Sequence, residues 1–154
     1  VRAFVVQAFK IPTGSMRPTL LEGDRILVNK FLYRFKPPQR GDVVVFKYPE
    51  DPKRDFIKRL VAQGGEDILI EDGRLVIDNE KIILDSFGER YYYNQGPYGA
   101  EGNTQEVPEE HFFVLGDNSS SSRDSRWWGF VPKKYMVGKA FLVYWPLDRI
   151  RRVH

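Results

Sequence analysis

No apolar pattern in this chain keeps a helical spacing for more than about two turns. Short runs rich in Val, Ile, Phe and Tyr are instead cut at close intervals by turn-forming pairs: Gly23-Asp24, Gly41-Asp42, Gly64-Gly65, Asp72-Gly73 and Gly116-Asp117. Glycine and aspartate favour such turns because one tolerates left-handed backbone angles and the other bonds its own backbone. The pattern predicts a mainly β protein, with coiled antiparallel sheets in a barrel-like form. An aromatic content of 14%, with 13 Gly and 10 Pro, points the same way. At 154 residues the chain is one domain's worth, large enough to bury a core.

Strands are expected at Phe4 to Ile11, Arg25 to Lys30, Val43 to Tyr48, Asp55 to Ala62, Phe112 to Leu115 and Lys139 to Trp145. Between Ile68 and Leu84 the alternation of strand and turn reads as a meander, so residues 68–110 are expected to be a small β subdomain inserted in a single domain spanning 1–154. Pro49 to Arg54 reads as a polar turn and Lys133 to Val137 as a single helical turn. The Tyr-, Gly- and Asn-rich stretch from Tyr91 to Glu106 is expected to be the least ordered part, and Arg149, Arg151 and Arg152 form a basic tail.

The chain holds no cysteine, which excludes a thiol nucleophile and disulfides, and its two histidines weaken any zinc reading. No metal or cofactor is expected. A net charge of +3 suits an anionic membrane surface and does not demand nucleic acid. The apolar start, Val1 to Phe9, is too short to cross a bilayer and carries a charge, so as it stands the sequence predicts a soluble or peripheral chain.

One stretch carries chemistry: Ile11-Pro12-Thr13-Gly14-Ser15-Met16-Arg17-Pro18-Thr19-Leu20. Two prolines and a glycine give it a set shape, and its apolar residues place it against a hydrophobic surface. Such a composition also describes an ordinary turn. If Ser15 is a nucleophile it needs a base. His154 ends the chain, His111 has no supporting motif, and Ser15 is not in a G-x-S-x-G elbow. Lysine remains, as serine–lysine dyads follow the same logic. A lysine acts as a base only when neutral, which burial can bring about. In the strand Asp55 to Ala62, Phe56, Lys58 and Leu60 share one face and Ile57, Arg59 and Val61 the other, so one of two adjacent basic residues is forced among large apolar neighbours. Lys58 fits, although a solvated strand lysine is the ordinary alternative.

Five segments, in this order, resemble the sequence boxes of type I signal peptidases: Pro12 to Leu20, Gly23-Asp24, Gly41-Asp42-Val43, Ile57 to Val61, and Gly116-Asp117-Asn118 with Asp124-Ser125-Arg126, Gly129 and Val131-Pro132. The resemblance implies a membrane-anchored serine endopeptidase that removes signal peptides from exported preproteins. By motif, Ser15 is the nucleophile and Lys58 the general base. The Ser15 N–H and the Thr13 hydroxyl form the oxyanion hole. Ser122 orients the lysine, with Ser121 as the alternative, and Asp124 and Arg126 form a supporting ion pair. Signal peptides end in an A-x-A-like sequence. Shallow pockets lined by Phe9, Ile11, Pro12, Met16, Phe56 and Ile57 would accept alanine, with the substrate extended along the Asp55 to Leu60 strand.

The same resemblance implies a monomer whose partners are the signal-peptide region of preproteins and a lipid bilayer surface, with no nucleic acid. The catalytic domain would face the extracytoplasmic side of a plasma or thylakoid membrane, with its anchor expected before Val1. Two departures stand out: Thr13 replaces the commoner serine, and Ser119-Ser120-Ser121 follows Gly-Asp-Asn. Self-cleaving repressors share the dyad, but neither a helix-turn-helix pattern nor an Ala-Gly pair precedes the serine. A non-enzymatic β module binding through Tyr91, Tyr92, Tyr93, Trp127 and Trp128 is the remaining alternative.

Overall fold

The computed structural model describes residues 6–82 and 90–154. The expected strand start at Phe4 and the end of the meander at Leu84 lie outside the described residues. Twelve strands are described: β1 Val6–Lys10, β2 Arg25–Asn29, β3 Val43–Tyr48, β4 Asp51–Gln63, β5 Asp67–Glu71, β6 Arg74–Ile77, β7 Glu80–Lys81, β8 Gln105–Glu106, β9 His111–Leu115, β10 Val131–Pro132, β11 Met136–Trp145 and β12 Arg151–Arg152. The larger sheet runs β1-β2-β11-β3-β4-β9-β10, with β12 on β11; the smaller runs β7-β6-β5-β8. Each described pairing is antiparallel. The fold is mainly β, as expected. Among the described residues the larger sheet does not close into a barrel.

The unbroken apolar run Val43-Val44-Val45-Phe46 has no polar side to turn to water, and β3 accordingly lies near the middle of the larger sheet with both faces covered. Val43 and Val45 join a core with Ile11, Met16, Leu20 and Val28. Val44 and Phe46 join another, with Leu60, Val114 and Val131. In the smaller sheet Ile68, Ile70, Leu75 and Ile77 share one face, which packs on Val61, Phe113 and Leu115, while Leu69 and Val76 on the other face are only half-buried.

Three expectations change. The polar residues Asp51–Arg54 belong to β4 rather than to a turn, since side chains that all point to water conceal a strand. The helical turn is a 3-10 turn limited to Lys133–Tyr135, because β11 begins at Met136. The basic tail is tied to the body: Arg151 and Arg152 pair with Val143 and Leu142.

The stretch expected to be least ordered is also fixed in place. Tyr92 is buried, Asn94 Nδ2 donates to the carbonyls of Ile70 and Gly99, and Tyr98 N donates to Arg126 O at 2.8 Å. Between Asp51 and Lys58, β4 pairs only with β3 among the described residues; its pairing with β9 begins at Arg59. That leaves one strand edge open beside the serine loop. Among the described residues no helix is long and apolar enough to cross a membrane.

Candidate active site

The serine loop is held at its base by two backbone bonds, Ile11 N to Asp24 O at 2.8 Å and Gly23 N to Ile11 O at 2.9 Å. Inside it, Leu20 N donates to Met16 O and Arg17 N to Gly14 O. Ile11, Met16 and Leu20 anchor it in the core, and Ser15 is nearly covered, at 8% exposure. Thr13 remains exposed, with its Oγ1 3.4 Å from Ser15 Oγ.

Lys58 arrives from β4, and its Nζ lies 2.9 Å from Ser15 Oγ. It is 5% exposed, and the Phe56 ring stands 5.3 Å from its ammonium. Burial penalises the charged form and pulls the Lys58 pKa down from 10.5 to about 8, against the opposing pull of the Asp124 carboxylate. A serine hydroxyl therefore faces a lysine that is partly neutral at mildly alkaline pH.

Alternation along β4 was expected to bury only one of the two basic neighbours, yet Arg59 is buried completely on the opposite face. It is tolerated because its guanidinium is fully engaged. Nε and Nη2 grip the two carboxylate oxygens of Asp117 at 2.8 and 2.7 Å, Nη1 reaches Gly41 O, and Nη2 reaches His154 O. Asp117 also accepts from the Thr19 hydroxyl, which links the serine loop to β4.

The second buried ion pair organises residues 119–122. Arg126 Nε donates to Asp124 Oδ1 at 2.8 Å, while its Nη atoms donate to the carbonyls of Tyr93, Ser119 and Ser122. Asp124 caps the short helix Ser125–Trp128 and accepts from Gly116 N. Among the described residues Ser122 makes no hydrogen bond to the lysine: its Oγ is buried without a partner. The reason is local. Its hydroxyl packs over Gly116, where an added Cβ would overlap it and come within 2.7 Å of Ser15 O. Ser121, by contrast, lines the cleft.

Asn118 was passed over although its motif was noted. Its backbone N–H donates to Ser15 O at 2.9 Å and its Nδ2 to Gly14 O at 3.0 Å, so it holds the backbone on which Ser15 sits. Arg59 and Asp117 were likewise given no role. Gly116-Asp117-Asn118 was the available signal, but only the fold brings that turn under the serine loop.

Ser15, Lys58 and Thr13 open into a cleft of about 620 Å³, and all six apolar candidates, Phe9, Ile11, Pro12, Met16, Phe56 and Ile57, line it. Ile11 and Met16 are at the same time core residues. His111 lies elsewhere, in a surface depression with Glu110, Pro132, Lys133 and Lys134. Among the described residues no cluster of His, Cys, Asp and Glu could hold a metal ion.

A sequence profile described as signal peptidase, peptidase S26, matches residues 1–145. The chain is 34% identical to signal peptidase I of Aquifex aeolicus (strain VF5), an alignment covering 94% of this chain and 78% of that protein. It is 37% identical to signal peptidase I of Leptolyngbya laminosa, covering 97% of this chain and 74% of that one. The crystal structure of a signal peptidase I from Enterococcus faecalis V583 superposes with a TM-score of 0.56 at 31% identity, covering 68% of this chain and 97% of that chain. The chain thus belongs to the signal peptidase family, peptidase S26, and is a serine endopeptidase of signal-peptide processing.

Proposed function

We propose that this chain cleaves signal peptides after an A-x-A sequence, with Ser15 as nucleophile and Lys58 as general base. The observation that carries the reading is the 2.9 Å approach of a buried, partly neutral Lys58 amine to Ser15 Oγ, at the mouth of an apolar cleft. Neutral Lys58 takes the Ser15 proton as Oγ bonds to the scissile carbonyl carbon. The oxyanion is met by the Ser15 N–H and the Thr13 hydroxyl. Collapse breaks the C–N bond, with the Lys58 ammonium returning the proton to the leaving amine. A water molecule activated by the same amine then hydrolyses the acyl-enzyme. Asp124 and Arg126 act at one remove, by fixing the loop that carries Ser121 and Ser122.

The substrate adds as an extended strand beside the open edge of β4, and the small space among Phe9, Ile11, Met16 and Ile57 admits alanine and excludes larger side chains. Exposed Phe35, Leu147 and Ile150, together with the net positive charge, support contact with a lipid surface on the extracytoplasmic side of a membrane. The enzyme acts as a monomer, with residues 68–110 as an inserted subdomain.

The test is cleavage, with detergent present, of a peptide whose signal portion ends in Ala-Gln-Ala. The parent should cut after the second alanine, and Ser15→Ala and Lys58→Met should both be inactive. Cleavage surviving Lys58→Met would overturn the dyad.

A further inference from the structure

The cleft has two walls of opposite character. Along β4 successive side chains leave on opposite faces. Ile57 packs with Phe9, Ile11 and Met16 against the core around Val43 and Val45, and this wall is apolar. Phe56 leaves on the other face and stacks on Tyr48, with ring centroids 4.2 Å apart and nearly parallel ring planes.

This second wall carries two arginines. The Arg54 guanidinium lies 5.2 Å from the Phe56 ring and 5.9 Å from the Tyr48 ring. Arg123 lies 5.6 Å from the Trp127 ring and reaches the Tyr48 hydroxyl. Both arginines are exposed and line the same cleft as Ser15 and Lys58.

The local charges leave this wall cationic. Among the described residues neither Arg54 nor Arg123 forms an ion pair. Glu50, which accepts from the Tyr48 hydroxyl, keeps its charge, so two arginines stand against one carboxylate on this wall; Asp55 stands across from Lys47 on the Ile57 side of the strand. Lys10 adds a further positive charge to the cleft lining. Cations propped on aromatic faces lose part of their hydration and keep a defined position, so they attract an incoming carboxylate more strongly than free surface arginines would.

An extended substrate beside β4 presents alternate side chains to the two walls. With both alanines of A-x-A on the apolar side, the residue between them turns toward Arg54 and Arg123. We infer that Arg54 and Arg123 are specificity-determining residues that favour a carboxylate side chain at the x of A-x-A. This rests on the substrate placement given under Proposed function.

The experiment compares kcat/KM for three peptides that differ only at x, carrying Glu, Gln or Lys. The parent should prefer Glu over Lys by about tenfold, attraction and repulsion each contributing a few-fold at an exposed site. Raised salt should shrink that ratio. In Arg54→Glu/Arg123→Glu the ratio should invert, and in Arg54→Lys/Arg123→Lys it should keep its sign. Equal rates for Glu and Lys in the parent, or a ratio unmoved by the double reversal, would overturn the inference. Failure to cut any of the three peptides would remove the A-x-A reading and the inference with it. Cleavage of all three at one rate would remove the inference alone.

Discussion

Lys58 Nζ stands 2.9 Å from Ser15 Oγ, forty-three positions away in the chain, and among the described residues meets no carboxylate at hydrogen-bond distance. Its environment therefore favours the neutral amine: burial dominates and the field of Asp124 only partly opposes it. Activity should follow that titration. With Lys58 as the proposed base, which works only when deprotonated, kcat/KM should fall about tenfold per pH unit below about 8 and level off above it. Phe56→Ala, which opens Lys58 to water, should move this limb to higher pH. A flat profile between pH 6 and about 9 would contradict the assignment.

The same burial has a thermodynamic sign. The folded chain holds the Lys58 pKa at about 8, below the ordinary 10.5, so between those values the unfolded chain binds more protons and stability rises with pH. Below about 8 the cost of burying the ammonium is present in full. Lys58→Met removes that cost, so the inactive variant should be more stable than the parent at pH 7, by up to about 3 kcal/mol. The gap should narrow as pH rises from about 8 and be nearly closed at about 10.5. Urea unfolding of both proteins at the two pH values measures it, and a variant less stable at pH 7 would refute the account.

The sequence displayed the surroundings of Ser15 and Lys58 better than their supports. Lys58 could be placed on an apolar face because strand alternation is a local rule, and β3 could be placed in the core because four consecutive apolar residues need both faces covered. The strand at Asp51–Arg54 was hidden because its side chains point to water. Arg59 was hidden because a buried guanidinium is stable only with partners supplied from distant segments, here Asp117, Gly41 and His154. Where the Ser122 hydroxyl lies was hidden because spacing along the chain does not reveal that Gly116 lets it pack against the backbone.

Thr13 offers its hydroxyl from an exposed position, 3.4 Å from Ser15 Oγ. Its contribution should appear only as charge develops on the substrate carbonyl. Thr13→Val keeps the shape and deletes the donor, and kcat should fall by about 10²-fold with little change in KM. Thr13→Ser should retain most of the activity. A KM effect without a kcat effect would place Thr13 in binding rather than in the oxyanion hole.

Asp117 neutralises Arg59 where neither side chain has any exposure to solvent. Removing one partner leaves an uncompensated charge in the core. Asp117→Ala should cost about 3–5 kcal/mol, seen as a drop in Tm of about 10 °C. Asp117 also receives the Thr19 hydroxyl, so the loss should loosen the serine loop and lower activity below the unfolding transition. Arg17→Ala is the control: its pair with Glu22 is exposed, and its loss should be barely measurable.

Asp24 closes the serine loop through its carbonyl, which accepts from Ile11 N, while Arg149 grips both of its carboxylate oxygens at 2.8 Å. Burial by itself would raise the Asp24 pKa, but the bonds from Arg149 and from Leu21 N hold it below the ordinary 3.8. A carboxylate held below its unfolded value stabilises the fold at pH above that value, and this contribution is lost as pH falls through the folded pKa. Arg149→Met removes the grip and leaves the carboxylate buried, so it should cost about 2 kcal/mol at pH 7. As acid protonates Asp24 in both proteins, the difference between variant and parent should shrink toward pH 3. Denaturant melts across that range measure it. A penalty that stayed constant with pH would show that Arg149 acts through packing alone, while one that vanished in acid would tie the loop's closure to this single ion pair.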